Sequence, residues 1–242
     1  MSGQHTSAKG GRLFLVPNLL GIVPPEAVLP QRTLDVARAI GHWVVETPKA
    51  ARAFLKTIAV AQPIAELSIV ELAKTADPPA ALLDVLRAGH DVGVLSDAGC
   101  PGIADPGARL VAFAHGADVR VVPLVGPSAV LLALMASGME GQRFAFHGYL
   151  PVQADARADA LRTLEHRSRA ETRTELFIET PYRNAAMLRT LTTVLRGATR
   201  VCVAADLTLD SETIECRTAA QWRAHDPKRF DKRPAMFLLQ AS

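Results

Sequence analysis

Short apolar runs bounded by glycine and proline alternate with stretches of helical apolar spacing along the chain. Arg12-Leu-Phe-Leu-Val16, His42-Trp-Val-Val-Glu46, Val92-Gly-Val-Leu95, Val119-Arg-Val-Val122 and Arg143-Phe-Ala-Phe-His147 read as strands. Pro24-Pro25-Glu26 suggests a short helix start, and Leu34–Ile40 reads as a helix up to Gly41. Thr47–Lys56 follows as a helix, with Thr47 as N-cap and Pro48 at its first position. Asp77-Pro-Pro is expected to cap a helix over Ala80–Ala88 that ends at Gly89. Asp105-Pro106 is the expected start of a helix through Ala108–Ala114, with Gly116 as its stop. Ser128–Ser137 is another helix, with Ser128 as N-cap and Gly138 at C′. This alternation predicts an α/β chain.

The second half repeats the pattern. Val152–Thr174 carries an apolar stripe through Leu161 and Leu164, and also a basic set of Arg157, Arg162, Arg167, Arg169 and Arg173. Beside a cleft such a set would neutralise RNA phosphates; by itself it is a solvated helix face. Glu175-Leu-Phe-Ile-Glu179 and Arg200-Val-Cys-Val-Ala-Ala205 read as strands, and Thr180-Pro181 opens a helix running to Leu191. Ser211–Arg217 alternates like an antiparallel strand, Thr218–Trp222 is a short helix and Arg233–Leu239 is the closing strand. The expected boundary places one α/β domain at 12–148 and a second at 149–242, with Gly148-Tyr-Leu-Pro151 as linker.

Two stretches break the pattern with chemistry. Leu95-Ser-Asp-Ala-Gly-Cys-Pro-Gly-Ile-Ala-Asp-Pro-Gly107 is too long for a simple turn. It follows a strand of a parallel sheet, where ligands bind at the carboxyl edge. Its glycines let backbone amides approach a ligand, and its prolines fix the loop beforehand. Pro123-Leu-Val-Gly-Pro127 repeats the arrangement ahead of Ser128 and Ala129, whose free amides should point to the same strand-end crevice as Asp97.

The 242 residues suit one large or two modest domains, and 49% are hydrophobic, enough for a sizeable core. A net charge of +3 permits an acidic partner such as RNA without demanding one. Cys100, Cys202 and Cys216 have no metal-type spacing and read as reduced thiols of a cytoplasmic protein, and no metal is expected. Met1–Gly11 lacks the apolar segment of a signal peptide and reads as a disordered leader. No apolar run approaches the roughly 20 residues of a membrane span.

The runs LSDAGCPGIADPG, PLVGPSAVLLALMASG, FAFHGYLP and FIETPYRN together resemble the tetrapyrrole methylase superfamily of S-adenosylmethionine-dependent methyltransferases. The resemblance extends from about Arg12 to Gln240 and is strongest to the branch that methylates the ribose 2′-oxygen of a cytidine in 16S rRNA. It departs from that branch at Pro17-Asn-Leu-Leu-Gly21, at Glu46-Thr-Pro-Lys49, at Glu179-Thr-Pro-Tyr-Arg183, and at Ala205-Asp206 where the branch has Arg-Glu. The chain stops at Ser242 without the further small extension often found in that branch.

The resemblance implies two α/β domains with mixed sheets flanked by helices, a cofactor cleft between them, and a homodimer. It implies S-adenosylmethionine held by Pro17, by Leu95, Ser96, Asp97, Ala98, Gly99, Pro101, Gly102 and Ile103, and by Ser128, Ala129, Tyr182, Leu207, Pro234 and Ala235. Asp97 would accept a hydrogen bond from the amino-acid or ribose part. Methyl transfer to a hydroxyl also needs a group to take its proton; the candidates are Glu46 and Glu179, with His147 behind them. Lys49 and Arg183 would hold substrate phosphate. RNA is the acceptor so implied. A tetrapyrrole or other small acceptor, and a non-catalytic S-adenosylmethionine-binding role, are the alternatives.

Overall fold

In the computed structural model, which describes residues 10–72 and 81–242, the apolar runs become ten strands in two five-stranded sheets. The first 127 residues and the remainder form two compact units. That division precedes the boundary expected at 148. The reason is pairing: Phe144–Tyr149, expected to close the first half, instead hydrogen-bonds in parallel with Thr174–Glu179 of the second.

The first unit holds strands β1 (Leu13–Val16), β2 (His42–Val45), β3 (Ser68–Glu71), β4 (Val92–Leu95) and β5 (Val121–Pro123) in the order β3-β2-β4-β1-β5. All four pairings are parallel, so this sheet is not mixed as expected. Strand β3 is not among the strands read from the sequence. Helices α1 (Gln31–Ala39), α2 (Pro48–Thr57), α3 (Ala81–Arg87) and α4 (Ala108–Gly116) complete the unit. Alternate strand residues feed two cores. Phe14, Val16, Trp43, Val45 and Leu95 pack with Leu34, Phe54 and Leu55, whereas Leu13, Val44, Val92 and Val94 pack with Leu86 and Leu110. A central parallel sheet is buried on both faces in this way because each crossover lays a helix on it. The expected Asp77 cap and the leader up to residue 9 lie outside the described residues.

The second unit starts with α5 (Ala129–Ser137). Its Ser128 N-cap and left-handed Gly138 match expectation: the Ser128 hydroxyl accepts from the Leu131 amide, and Gly138 has φ 64°. Its strands are β6 (Phe144–Tyr149), β7 (Thr174–Glu179), β8 (Arg200–Ala205), β9 (Thr213–Thr218) and β10 (Ala235–Gln240), in the order β6-β7-β10-β8-β9. This sheet is mixed: β10 runs antiparallel to both neighbours, and β9 antiparallel to β8. One face, with Phe177, Val201, Val203, Phe237 and Leu239, packs on α6 (Ala154–Glu171), α7 (Asn184–Val194) and α8 (Ala219–Trp222). Helix α5 covers β8, β9 and β10. Thr218 and Gln221 form a complete capping box at α8.

Candidate active site

Parallel strands bring their carboxyl ends to one edge, so the loops after β1, β2, β4 and β5 converge there. Asn18 joins them. Its backbone amide donates to Gly99 O at 2.8 Å, and its side-chain amide donates to Ser96 O at 2.9 Å and Asp97 O at 3.0 Å. Asn18 is not among the expected site residues; an asparagine directly after the first strand is the signal the chain offers. Glu46 Oε2 accepts from the Asp97 amide at 3.1 Å, and Thr47 Oγ1 donates to Asp97 Oδ2 at 2.7 Å. Thr47 occupies the N-cap position of α2 without capping through its side chain, which points to Asp97 instead.

The long loop after β4 closes on itself. Ser96 Oγ donates to Ala98 O at 3.0 Å, and the Gly102 amide to Pro106 O at 3.2 Å. The expected Asp105-Pro106 helix start is replaced by Gly107, which caps α4 at φ 143° with no side-chain bond. A Cβ at Gly107 would lie 3.0 Å from the Gly102 amide nitrogen, so only glycine closes this loop without strain. Asp97, Ala98 and Ile103 are exposed, while Pro17, Leu95, Ser96, Gly99 and Pro101 are buried beneath them. The loop therefore presents backbone and a few side chains from a fixed base. Cys100 donates to Pro127 O at 3.5 Å, and burial pushes its thiol up, away from nucleophilic use. Gly126 touches Pro17 so closely that a Cβ would stand 2.4 Å from the Pro17 Cβ. Lys49 is exposed on α2.

In the second unit, β10 runs against β7 and β8, so its beginning lies beside their ends. Ala235 is opposite both Glu179 and Ala205. The predicted residues Tyr182, Leu207, Pro234 and Ala235 thus share one edge of this sheet with Glu179. Glu179 is buried; its Oε1 accepts from Arg183 Nε at 2.9 Å, Arg183 Nη2 at 2.5 Å and the Thr180 amide at 2.6 Å. Its Oε2 is buried with no hydrogen-bond partner among the described residues, and Thr208 Oγ1 and Asn184 Oδ1 share that condition. Buried acceptors without donors are uncommon and call for a ligand group or water. Arg183 is thereby paired with the Glu179 carboxylate.

Asp206, absent from the expected site, holds this edge together. It has φ 53°, and its Oδ2 accepts from Arg233 Nε at 2.7 Å and Ser211 Oγ at 2.9 Å. Asn184 is fully buried and its amide donates to Phe230 O and Arg233 O. His147 Nε2 lies 2.5 Å from Glu175 Oε2, and Glu175 is engaged by Arg173 as well. Members of the basic set on α6 have partners of their own. Arg157 is buried against Thr190 and Val152 O, Arg162 pairs with Asp159, and Arg169 donates to Ser242 O. Among the described residues, no group of His, Cys, Asp and Glu is placed to hold a metal ion, and no helix is long and apolar enough to cross a membrane.

The family model for tetrapyrrole (corrin/porphyrin) methylases matches residues 31–221. The ribosomal RNA small subunit methyltransferase I of Escherichia coli O157:H7 is 35% identical over 87% of this chain and 71% of its own length. Its namesake in Vibrio cholerae is 35% identical over 94% of this chain and 76% of its own. Among solved structures, the methyltransferase CobJ superposes with a TM-score of 0.62 at 18% identity, covering 96% of this chain and 95% of its own. A cobalamin biosynthetic enzyme, cobalt precorrin-4 methyltransferase, gives 0.59 at 16% identity, covering 95% and 94%. At those identities the two structures establish the shared two-domain architecture alone.

Proposed function

The chain belongs to the tetrapyrrole methylase family of methyltransferases, and from that premise we propose that it transfers the methyl group of S-adenosylmethionine to the ribose 2′-oxygen of a cytidine in small-subunit ribosomal RNA. The observation that carries this reading is the likeness, across nearly the whole chain, to methyltransferases named for that RNA. An RNA acceptor puts the reaction in the cytoplasm.

The residues present suit the cofactor. Thr208 Oγ1, buried and unpartnered beside Leu207, matches a hydroxyl or amino donor. Leu207 and Ala235 offer apolar contact, and the exposed ring of Tyr182 a stacking surface. In the first unit, the loop from Ser96 to Ile103 offers backbone groups over a rigid base, with Asp97 as acceptor; in the second, Ser128 and Ala129 offer the start of α5. When bound, the cofactor supplies an electrophilic methyl group on a sulfonium. The chain's task is then to align the hydroxyl and take its proton as the new C–O bond forms.

Glu179 is the base in this reading. Arg183 fixes one carboxylate oxygen, which leaves Oε2 to accept from a hydroxyl. Glu46 supports the loop at Asp97 and is the second candidate. Lys49 and other exposed cations would meet phosphate. A homodimer is part of the proposal, supported by α5, which is apolar on all sides and leaves Leu131 and Met135 exposed.

Nucleoside mass spectrometry of ribosomal RNA from cells lacking the gene tests the reading. A missing 2′-O-methylcytidine, restored by the gene, supports it. Unchanged RNA together with S-adenosylmethionine binding by calorimetry would move the assignment to a small acceptor or a binding role.

A further inference from the structure

Two cysteines stand directly across from one another on neighbouring strands. Cys202 on β8 is in register with Cys216 on β9, the outermost strand of its sheet. Opposed residues of an antiparallel ladder have Cα atoms about 4.5–5.5 Å apart, and a disulfide spans about 4.4–6.8 Å between Cα atoms. The register therefore puts the two Cα atoms within the range that a disulfide spans. Cys202 is fully buried, while Cys216 is exposed.

Arg200, two residues before Cys202 and on the same face of the sheet, reaches Cys216. Its Nη2 lies 3.6 Å from Cys216 Sγ and also donates to Gly138 O at 3.0 Å. The guanidinium is thus anchored to the end of α5 while it faces the sulfur. The neighbouring Cys202 thiol and the Arg200 guanidinium together outweigh burial and pull Cys216 down to about 6, while Cys202 is pushed up. One sulfur is a nucleophile and the other retains its proton.

We propose that Cys202 and Cys216 form an oxidation-sensitive pair, in which a hydroperoxide converts the two thiols into a reversible cross-strand disulfide. The Cys216 thiolate attacks the peroxide. An S–O bond forms, the O–O bond breaks, and hydroxide (or alkoxide) leaves with the electron pair, giving a sulfenic acid. The Cys202 sulfur then attacks the sulfenic sulfur. The S–S bond forms, the S–O bond breaks, and the Cys202 proton leaves with the hydroxyl as water. A dithiol reverses the bond by exchange.

The test uses the whole protein treated with hydrogen peroxide, then denatured and alkylated. Trypsin cleaves after Arg200 and Arg217, so residues 201–217 emerge as one peptide carrying both cysteines. The expected product is that peptide short of two hydrogens and unalkylated, restored to double alkylation by dithiothreitol, with Cys100 alkylated throughout. In Cys202→Ser the reaction should stop at a sulfenic acid on residue 216, captured by dimedone. Arg200→Gln, read on the longer tryptic peptide 197–217 that it yields, should slow oxidation by about tenfold. Recovery of both thiols intact, or of Cys216 as sulfinic acid beside an alkylatable Cys202 in the unsubstituted protein, would overturn the proposal.

Discussion

Thr47 Oγ1 donates to Asp97 Oδ2 at 2.7 Å, linking the loop after β2 to the loop after β4. With the Glu46 carboxylate on the Asp97 amide, the bond fixes Asp97 from both its main chain and its side chain. A cofactor-binding acceptor benefits from being positioned before the ligand arrives, because less ordering remains to be done on binding. Thr47→Val removes the donor at constant shape. A half-exposed hydrogen bond is worth about 1 kcal/mol, so the dissociation constant of S-adenosylmethionine should rise about fivefold. Asp97→Ala should raise it by at least about tenfold. Calorimetry reads both; unchanged affinity in the pair would remove this loop from the cofactor site.

Glu179 and Glu46 separate by their hydrogen bonds. Glu179→Gln keeps an oxygen for Arg183 and removes the basic oxygen, so kcat should fall by about 10²–10³, within the usual range for a lost general base, with cofactor affinity held within about twofold. Glu46→Gln still offers an oxygen to the Asp97 amide, and should leave kcat within about threefold of the parent, a small barrier change. Single-turnover methylation of small-subunit RNA compares them. The reverse order of effects would transfer the role of base to Glu46.

Strands whose apolar residues alternate between two cores, and helices closed by Ser128 and Gly138, were legible because local chemistry decides them. The strand-end loop 95–107 was legible from its length and its glycines. Three things were not. The side of the boundary on which β6 falls depends on pairing with β7, a contact no local pattern encodes. The N-cap of α4 moved from Asp105 to Gly107 because the loop folds back from Gly102 to Pro106. Asn18, Asn184 and Asp206 were missed because each acts through partners distant in sequence. Arg233, from the approach to β10, reaches back to pair with Asp206 just past the end of β8, a contact of 27 residues' separation.

The Asp206–Arg233 pair closes the edge where Leu207 and Ala235 lie. Both side chains are mostly buried, and Arg233 Nη2 also donates to Ser211 O at 2.6 Å and Thr213 Oγ1 at 3.0 Å. Removing one member leaves the other charge poorly solvated. Arg233→Met should lower unfolding free energy by about 2–3 kcal/mol, somewhat below a fully buried pair, and weaken cofactor binding. The double variant Asp206→Asn/Arg233→Met should recover part of the stability, since no uncompensated carboxylate remains. Urea unfolding of the parent, Asp206→Asn, Arg233→Met and the double variant supplies the coupling energy.

Glu175 gives the fold an acid-sensitive point. Burial pushes its carboxyl up, but hydrogen bonds from His147 and Arg173, with Arg173's charge, outweigh this and hold it below the ordinary glutamate value. A carboxyl whose folded value is lowered binds its proton more weakly than in the unfolded chain. Its contribution is therefore complete above the unfolded value, about 4.3, and disappears as pH falls through the lowered folded value. Protonation also removes the charge that Arg173 and His147 face. Unfolding free energy measured from pH 6 downward should drop more steeply below about pH 4 in the parent than in Glu175→Gln, which begins less stable and is flatter there. Parallel curves for the two proteins would show that Glu175 is not the group whose titration loosens this sheet.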